Sequence, residues 1–221
     1  MGFYWRTSVD KIIVRTLDLF CSGGGSSRGA AMAGATPVAA VDIWRLATDT
    51  YRLNFPEATV YTLTAKSLSP KQVQKDVGKI DLILASPECT NHSVAKGNRP
   101  ICEKSRETAF ELVGFAENLL PRWIVVENVL QMKRWHRFNE WHQQIKDIGY
   151  KTKIAILDAQ YYGIPQSRRR LFVIGDLEAT PILPKPGRCT QKTVTSILGR
   201  GECFEGIQRV LAPALCLFIK Q

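Results

Sequence analysis

Short apolar runs alternate along this chain with segments of helical periodicity, and this alternation limits its fold more than any other feature. The runs are rich in β-branched residues, and turn or polar residues follow each of them, as expected of buried strands. They cover residues 12–20, 37–42, 80–85, 123–128, 152–159 and 170–176. Helix-period segments lie between them at 25–34, 45–55, 106–120 and 134–149. The pattern predicts an α/β fold with a mostly parallel sheet and helices on both faces.

The first two predicted strands end in residues suited to a nucleoside cofactor. In an open parallel sheet the ligand crevice lies at the carboxyl ends of the strands. The first strand runs into DLFCSGGGSSRG (18–29), a glycine-rich turn that opens a helix and brings backbone N–H groups close to a ligand. The second strand ends at Asp42, where a carboxylate is placed to hydrogen-bond a ribose hydroxyl. No GK[ST] sequence follows the turn, which excludes a P-loop.

A cysteine follows the third run, in SPECTNHS (86–93). Turn chemistry accounts for Pro87 and Asn91 but not for Cys89. A cysteine at a strand end that faces the crevice is a candidate nucleophile. The six cysteines of the chain include no CxxC pair and no zinc-ligand spacing, so we expect the others to be buried thiols and predict no metal site.

Charged residues accompany the last predicted strands. The run 123–128 closes on Glu127, which is costly to bury unless it is paired or catalytic. The sequence QSRRR (166–170) enters the final strand, where alternation puts Arg168 and Arg170 on one face and Arg169 on the other. Taken alone, such a run is typical of a solvated basic edge.

Charge and hydropathy limit the partners. The net charge is +10 and the pI is near 9.5, which favours a polyanionic partner such as nucleic acid. No apolar run reaches the roughly 18 residues of a membrane span, and the N-terminus lacks the apolar segment of a signal peptide. We therefore expect a cytoplasmic protein without membrane contact.

In chain order, DLFCSGGG, Asp42, SPEC, ENV and QSRRR resemble the motifs of the cytosine-5 DNA methyltransferase family. That family carries a glycine-rich first motif, a Pro–Cys nucleophile, an ENV motif and a QxRxR motif in this order. The resemblance covers residues 14–176. It implies a Rossmann-like S-adenosylmethionine-dependent methyltransferase fold, DNA as the partner, and methylation of carbon 5 of a flipped-out cytosine.

The resemblance also implies roles for single residues. Cys89 attacks carbon 6 of the base, Glu127 contacts its N3 and amino edge, and Asn128 holds the loop geometry. Arg168 contacts the base oxygen and the active-site carboxylate, with Arg170 in support. The implied cofactor contacts are Phe20 near the cofactor, the turn Cys21, Ser22, Gly23, Gly24 and Gly25 beside its methionine part, Asp42 on the ribose, Ile43 on the adenine, and Pro87 beside the methyl donor.

The chain departs from the family pattern in three places. Ser22 stands at the first glycine of the turn, and Glu88 and Thr90 flank the nucleophile where the family has Pro and Gln. No acid between Ala58 and Lys75 replaces the family's adenine-binding aspartate. We predict a catalytic domain at 12–176, followed at 177–221 by a linker and an incomplete C-terminal segment without a target-recognition domain.

We therefore expect a truncated gene product, a fragment, or one subunit of a split enzyme of prokaryotic or phage origin, with a second subunit or a missing C-terminal region supplying recognition. Three other functions stay open at this point. One is an inactive remnant that binds cofactor or DNA, and another is an RNA cytosine-5 methyltransferase of the same fold. The third is an unrelated nucleotide-binding oxidoreductase, which leaves Cys89, ENV and the arginines unexplained.

Overall fold

A seven-stranded mixed sheet forms the centre of the computed structural model, which describes residues 13–89 and 102–187. The strands are β1 (Arg15–Leu19), β2 (Thr36–Asp42), β3 (Thr59–Thr62), β4 (Leu82–Ala85), β5 (Trp123–Asn128), β6 (Lys151–Asp158) and β7 (Arg169–Asp176). Their order across the sheet is β3-β2-β1-β4-β5-β7-β6. The five strands from β3 to β5 are parallel, and β7 runs antiparallel to both β5 and β6. The predicted mostly parallel sheet is confirmed, with an antiparallel edge that the sequence did not indicate.

Helices cover both faces of the sheet, as predicted. They are α1 (Gly25–Met32), α2 (Arg45–Asn54), α3 (Pro70–Val77), α4 (Glu103–Arg106), α5 (Ala109–Leu119) and α6 (Phe138–Asp147). Short 3-10 helices occupy Ala65–Ser67, Leu130–Arg134 and Ala159–Tyr162. The side chains of α3, α5 and α6 pack into the larger core on one face, and α1 and α2 pack on the other.

Strand β4 shows why the strands have no alternating polar pattern. Ile83 and Ala85 belong to the larger core, and Leu82 and Leu84 belong to the core on the opposite face. Each strand with helices on both sides must bury successive residues in opposite directions, so it is a continuous apolar run.

Some predicted boundaries were wrong, and two elements were missed. The predicted helix 106–120 is α5 preceded by the separate short helix α4, and the predicted helix 134–149 begins only at Phe138. β3 is a four-residue edge strand, and the only fully buried side chain of α3 is Val73, so neither has a strong pattern. None of the described helices combines the length and apolar character that a membrane span needs. The predicted C-terminal segment lies, from residue 188 on, outside the described residues, as do residues 1–12 and the loop 90–101.

Candidate active site

The residues predicted to act in chemistry meet at one edge of the sheet. The strands β1, β2, β4 and β5 are parallel, so their carboxyl ends lie side by side. Strand β7 is antiparallel to β5, and therefore begins at this same edge, with Leu171 opposite Asn128. This direction brings Arg168 and Arg170, which lie at the start of β7, beside the end of β5.

A cavity of about 310 Å³ lies between the turn after β1 and the β5–β7 edge. Predicted residues line it on both sides: Phe20, Cys21, Ser22, Gly23 and Gly25 from the turn, and Glu127, Arg168 and Arg170 from the strands. Gly24, Asp42, Ile43, Pro87 and Cys89 do not line it. Further wall residues that the sequence did not single out include Ser26, Ser86, Tyr162, Ile164 and Phe172.

The turn after β1 has an unusual backbone conformation. Phe20 and Ser22 have positive φ angles of 61° and 47°, a region that costs non-glycine residues of order 1–3 kcal/mol each. The turn is held by hydrogen bonds from Cys21 N–H to the Val41 carbonyl (3.1 Å) and from Gly24 N–H to the Cys21 carbonyl (2.9 Å). Asn54 of α2 donates to the Gly23 carbonyl at 2.8 Å. Ser22, which stands where the family has a glycine, therefore adopts a left-handed conformation although it is not glycine.

Gly24, at the start of α1, is the position where the turn most requires glycine. Its φ is +95°, and a Cβ there would lie 2.7 Å from the Phe55 ring and 3.1 Å from the Tyr51 ring. Tyr51 of α2 and Phe55, the residue that follows α2, pack together with their ring centroids 4.8 Å apart. The turn therefore rests directly on this aromatic pair.

A buried polar network under the turn was not predicted. Ser27 Oγ donates to Asp18 Oδ2 at 2.7 Å and lies 2.6 Å from the Tyr51 hydroxyl. All three residues have no exposed surface. Burial raises the pKa of Asp18 to about 7, although hydrogen bonds from the Ser27 side chain and N–H act against it. The signal available in the sequence was an acid inside the apolar run of β1.

Asp42 supports the same turn from the neighbouring strand. One carboxylate oxygen accepts a hydrogen bond from Ser22 N–H (2.9 Å) and the other accepts one from Trp44 N–H (2.9 Å). Each oxygen keeps one lone pair for a further donor. Ile43, next in the chain, is 68% exposed. The proposed ribose and adenine contacts of these two residues stay predictions.

On the opposite wall Glu127 is paired with Arg170. The Arg170 Nε lies 3.0 Å from Glu127 Oε1, and about a quarter of each side chain is exposed. Burial raises the pKa of Glu127 above its ordinary value, and the charges of Arg170 and Arg168 and hydrogen bonds from Arg170 and Ser86 oppose this rise. Desolvation thus favours the protonated form of the Glu127 carboxyl group, and the arginine cations favour the carboxylate.

The loop after β4 carries Cys89. The Pro87 carbonyl accepts a hydrogen bond from Asn128 Nδ2 at 2.9 Å, which agrees with the predicted structural role of Asn128. The next N–H, that of Glu88, donates to Thr108 Oγ1 at 3.3 Å. The peptide group between Pro87 and Glu88 is therefore bonded on both of its polar atoms, and Cys89 is an exposed free thiol beyond it.

The cavity has properties that suit S-adenosylmethionine. Its volume lies near the lower end of the range for small-molecule pockets, which is about 300–1,000 Å³. The wall at Phe20 combines an aromatic side chain with a tight backbone turn. Asp42, which accepts from Ser22 N–H of this turn, keeps acceptor capacity for a further donor. An aromatic side chain suits the apolar surface of such a cofactor, a backbone turn suits its amino-acid part, and a carboxylate suits its ribose hydroxyls.

Comparison with known proteins gives a consistent result. The family description "C-5 cytosine-specific DNA methylase" matches residues 14–199. The type II methyltransferase M.HindV of Haemophilus influenzae is 34% identical over 168 residues, which are 75% of this chain and 54% of that protein. The type II methyltransferase M.DdeI of Desulfomicrobium norvegicum is 34% identical over 198 residues, 82% of this chain and 46% of that protein. The chain spans about half the length of the curated relatives it matches.

Solved structures share the fold. The Entamoeba histolytica methyltransferase EhMeth superposes with a TM-score of 0.70 at 21% identity, covering 87% of this chain and 62% of that one. A Spodoptera frugiperda DNMT2 mutant superposes with a TM-score of 0.63 at 23% identity, covering 81% and 54%. At these identities the likeness concerns the fold alone, and it agrees with the Rossmann-like methyltransferase fold expected from the motifs.

Proposed function

Because the chain belongs to the C-5 cytosine-specific DNA methylase family, we propose that it methylates carbon 5 of cytosine in DNA through a covalent adduct with Cys89. The observation that carries the proposal is the shared cavity, in which the turn after β1 faces Glu127, Arg168 and Arg170. A turn suited to the cofactor and a carboxyl group suited to the cytosine lie on opposite walls of one cavity. Methyl transfer requires that its two reactants be held side by side in this way. Family membership leaves no ground for the oxidoreductase alternative, and no observation favours the remnant or the RNA enzyme.

In the proposed reaction the Cys89 thiolate forms a bond to carbon 6 of a flipped-out cytosine. The ring electrons move toward carbon 5 while N3 is protonated, and Glu127 is the group that donates to N3. Burial raises the pKa of Glu127, so its protonated form is more available than in water. Carbon 5 then takes the methyl group, whose bond to the sulfonium sulfur breaks with the electron pair staying on sulfur. A water molecule removes the proton from carbon 5, N3 returns its proton to Glu127, and the bond from carbon 6 to Cys89 breaks as the thiolate leaves and the aromatic ring is restored.

Arg170 and Arg168 act on the same carboxyl group in this proposal. The ion pair with Arg170 fixes the orientation of Glu127 toward the cavity. Arg168 lines the cavity from the loop before β7 and contributes to the positive potential around Glu127. We assign Arg168 to the oxygen of the base and Arg170 to the support of Glu127.

S-adenosylmethionine, when bound, supplies an electrophilic methyl group on a sulfonium centre. We propose that Phe20 packs against the cofactor and that the turn Cys21–Gly25 orients its amino-acid part. Asp42 and Ile43, which follow β2 beside this turn, take the ribose and the adenine, and Pro87 lies beside the methyl donor. Burial raises the pKa of the Cys21 thiol, which keeps Cys21 neutral and distinct from the nucleophile Cys89.

The proposed partner is DNA. A net charge of +10 supplies phosphate contacts that bind without reading sequence. In the proposal the target sequence is read by a recognition region outside the matched residues 14–199, on the same polypeptide or on a second subunit. A cytoplasmic location stays a prediction.

Trapping with 5-fluorocytosine tests the function directly. The purified chain is incubated with S-adenosylmethionine and duplex DNA containing 5-fluorocytosine, because fluorine on carbon 5 does not leave as a proton and the covalent complex accumulates. We expect an adduct that survives denaturing electrophoresis. Cys89→Ala should abolish it, whereas Cys102→Ala, at another exposed cysteine, should leave it intact.

Cofactor binding, measured in parallel by calorimetry, separates two kinds of failure. An adduct that persists in Cys89→Ala would show that the nucleophile is wrongly assigned. No adduct despite cofactor binding would show that this chain alone does not perform the reaction, and the same assay with added recognition subunit would then decide the assignment. No cofactor binding at all would contradict the proposed site.

A further inference from the structure

The loop between β6 and β7 carries Arg168. The N–H group of Arg168 donates to a side chain and not to the backbone of a neighbouring strand. Strand β7 begins at Arg169, and Ala159 N–H donates to the Arg168 carbonyl at 3.1 Å, which extends the backbone pairing of β6 and β7 by one hydrogen bond. The loop then makes a turn of 3-10 helix at Ala159–Tyr162 and reverses at Gly163, whose φ is 86°. Arg170, in contrast, lies within β7 and is paired with Glu127.

One carboxylate ties both ends of this loop together. Asp158 Oδ1 accepts hydrogen bonds from Arg168 N–H at 2.9 Å and from Gln160 N–H at 3.3 Å. Asp158 Oδ2 accepts from Gln160 Nε2 at 2.9 Å and from Ser167 Oγ at 3.2 Å. The four donors come from three residues at the two ends of the loop. Only a group that accepts at both of its oxygens satisfies all of them, which is what an ionised carboxylate does.

We propose that Asp158 is a positioning residue for the methyl transfer: it holds the backbone of Arg168 so that this guanidinium stays in the cavity beside Glu127. The proposal rests on the proposed function. Asp158 does not line the catalytic cavity and belongs instead to a separate groove with Gln160, Ser167 and Arg169. Its effect on the base therefore passes through Arg168. Reactions of this kind are sensitive to misplacement of a contacting group by about 1 Å.

The ionisation of Asp158 agrees with this role. Desolvation acts to raise the pKa of Asp158, but the hydrogen bonds from the Gln160 and Arg168 N–H groups and from the Ser167 and Gln160 side chains outweigh it and lower the pKa below its ordinary value. The side chain is therefore a full carboxylate at neutral pH. A matched control position for Asp158 is Asp147, an exposed aspartate on α6 that accepts one hydrogen bond from Gln143.

Two substitutions at Asp158 and one control test the proposal. Asp158→Ala removes all four acceptor contacts. Asp158→Asn keeps one oxygen for the Arg168 and Gln160 N–H groups, but its NH₂ group cannot accept from Ser167 or from Gln160 Nε2. Asp147→Ala is the control. The measurements are the rate of adduct formation at saturating cofactor and DNA, the cofactor dissociation constant, and hydrogen exchange of the peptide covering 159–169.

We expect Asp158→Ala to slow adduct formation by about 10- to 100-fold at saturation, with little change in the cofactor dissociation constant. Asp158→Asn should recover a substantial part of the rate, and Asp147→Ala should match the wild type. Equal saturated rates for Asp158→Ala and the wild type would overturn the proposal, as would an Asp158→Asn rate as low as that of Asp158→Ala.

The exchange measurement keeps this test independent of the function. If the wild-type chain forms no adduct, the rate comparison cannot be made on this chain alone, while exchange still tests Asp158. Faster exchange of 159–169 in Asp158→Ala, but not in Asp147→Ala, supports the tie between Asp158 and the loop. Unchanged exchange in Asp158→Ala overturns it.

Discussion

The two walls of the cavity are built in different ways. Under the turn after β1 lie Asp18, Ser27 and Tyr51, all without exposed surface and joined by hydrogen bonds of 2.6–2.7 Å. On the opposite wall Glu127 and Arg170 form an ion pair in which each side chain remains about a quarter exposed. The wall at the turn is thus supported by the core of the protein, whereas the wall at Glu127 is a partly exposed ion pair.

This difference predicts where mutations have their effect. Buried packing and buried hydrogen bonds contribute directly to the free energy of unfolding, whereas a partly exposed ion pair contributes little to it. Substitutions in the buried network under the turn should therefore lower the free energy of unfolding. Substitutions at the wall formed by Glu127 and Arg170 should lower activity with little loss of stability. The following predictions test that contrast, ordered by their expected effect on the free energy of unfolding.

Tyr51→Ala should have the largest effect. The ring packs against Phe55 and the turn, and truncating a buried aromatic side chain costs about 3–5 kcal/mol. Tyr51→Phe keeps the ring and removes only the hydroxyl bonded to Ser27, which should cost about 1–3 kcal/mol. Urea denaturation of each variant measures both values. Tyr61→Ala, at a partly exposed tyrosine of β3, is the control with a smaller expected loss, and an equal loss there would contradict the contrast.

Stability should also fall with rising pH because of Asp18. Burial raises its pKa from 3.8 to about 7, so between these values the folded state binds more protons than the unfolded state. The free energy of unfolding contributed by this group is therefore lost as pH rises, by on the order of 3 kcal/mol between about pH 5 and about pH 8. Asp18→Asn has no proton to release and should flatten this slope.

The comparison of wild type with Asp18→Asn isolates this effect, since other titrating groups contribute to both proteins. The pKa of Glu127 is also raised, so Glu127 adds a slope of the same sign that remains in the variant. Chemical denaturation at the two ends of the pH range supplies the measurement. Parallel curves for the two proteins would show that Asp18 does not titrate in this range.

Asn128→Ala tests the link between the core and the nucleophile loop. Asn128 is buried, donates to the Pro87 carbonyl and accepts from Val129 N–H, and its loss leaves buried polar groups unpaired. We expect a cost of about 1–3 kcal/mol in the free energy of unfolding. Asn118→Ala, at an exposed asparagine of α5 that donates to the Gly114 carbonyl, should cost less than about 0.5 kcal/mol. Similar losses at the two positions would argue against the special role of Asn128.

The sequence predicted the parts of this molecule that are local. The turn after β1, Glu127 and the arginines each lie at a strand end, and strand ends are visible as apolar runs that stop. The direction of β6 and β7 was not predictable in this way, since an apolar run looks the same in a parallel and an antiparallel strand. β3 and α3 were missed because a short edge strand and a helix with one buried side chain leave little pattern.

The supports of the site were not predictable because they are tertiary contacts. Asp18, Ser27 and Tyr51 belong to β1, α1 and α2, and nothing in their spacing indicates that they meet. Asp158 is similar, since an aspartate at a strand end looks like ordinary turn chemistry until its four donors are known. The motifs predict which residues act on the base, and the fold shows which residues hold them in place.

Arg170→Ala should have the smallest effect on stability among these variants and a large effect on activity. The lost ion pair is partly exposed, so we expect less than about 1 kcal/mol in the free energy of unfolding. The loss frees the Glu127 carboxyl from the ion pair that fixes its orientation toward the cavity, and this misplacement should slow adduct formation by about 100-fold. Denaturation and the 5-fluorocytosine assay on the same preparation give both numbers.

Two further variants at this wall separate charge from geometry. Arg170→Lys keeps a cation near Glu127 but loses the planar guanidinium, so it should recover part of the rate but not all of it. Arg169→Ala removes an exposed arginine that points to the other face of β7 and lines the separate groove, and its rate should match the wild type. If Arg170→Ala instead costs as much stability as Tyr51→Phe, the ion pair is a structural element like the network under the turn. The contrast between the two walls would then be wrong.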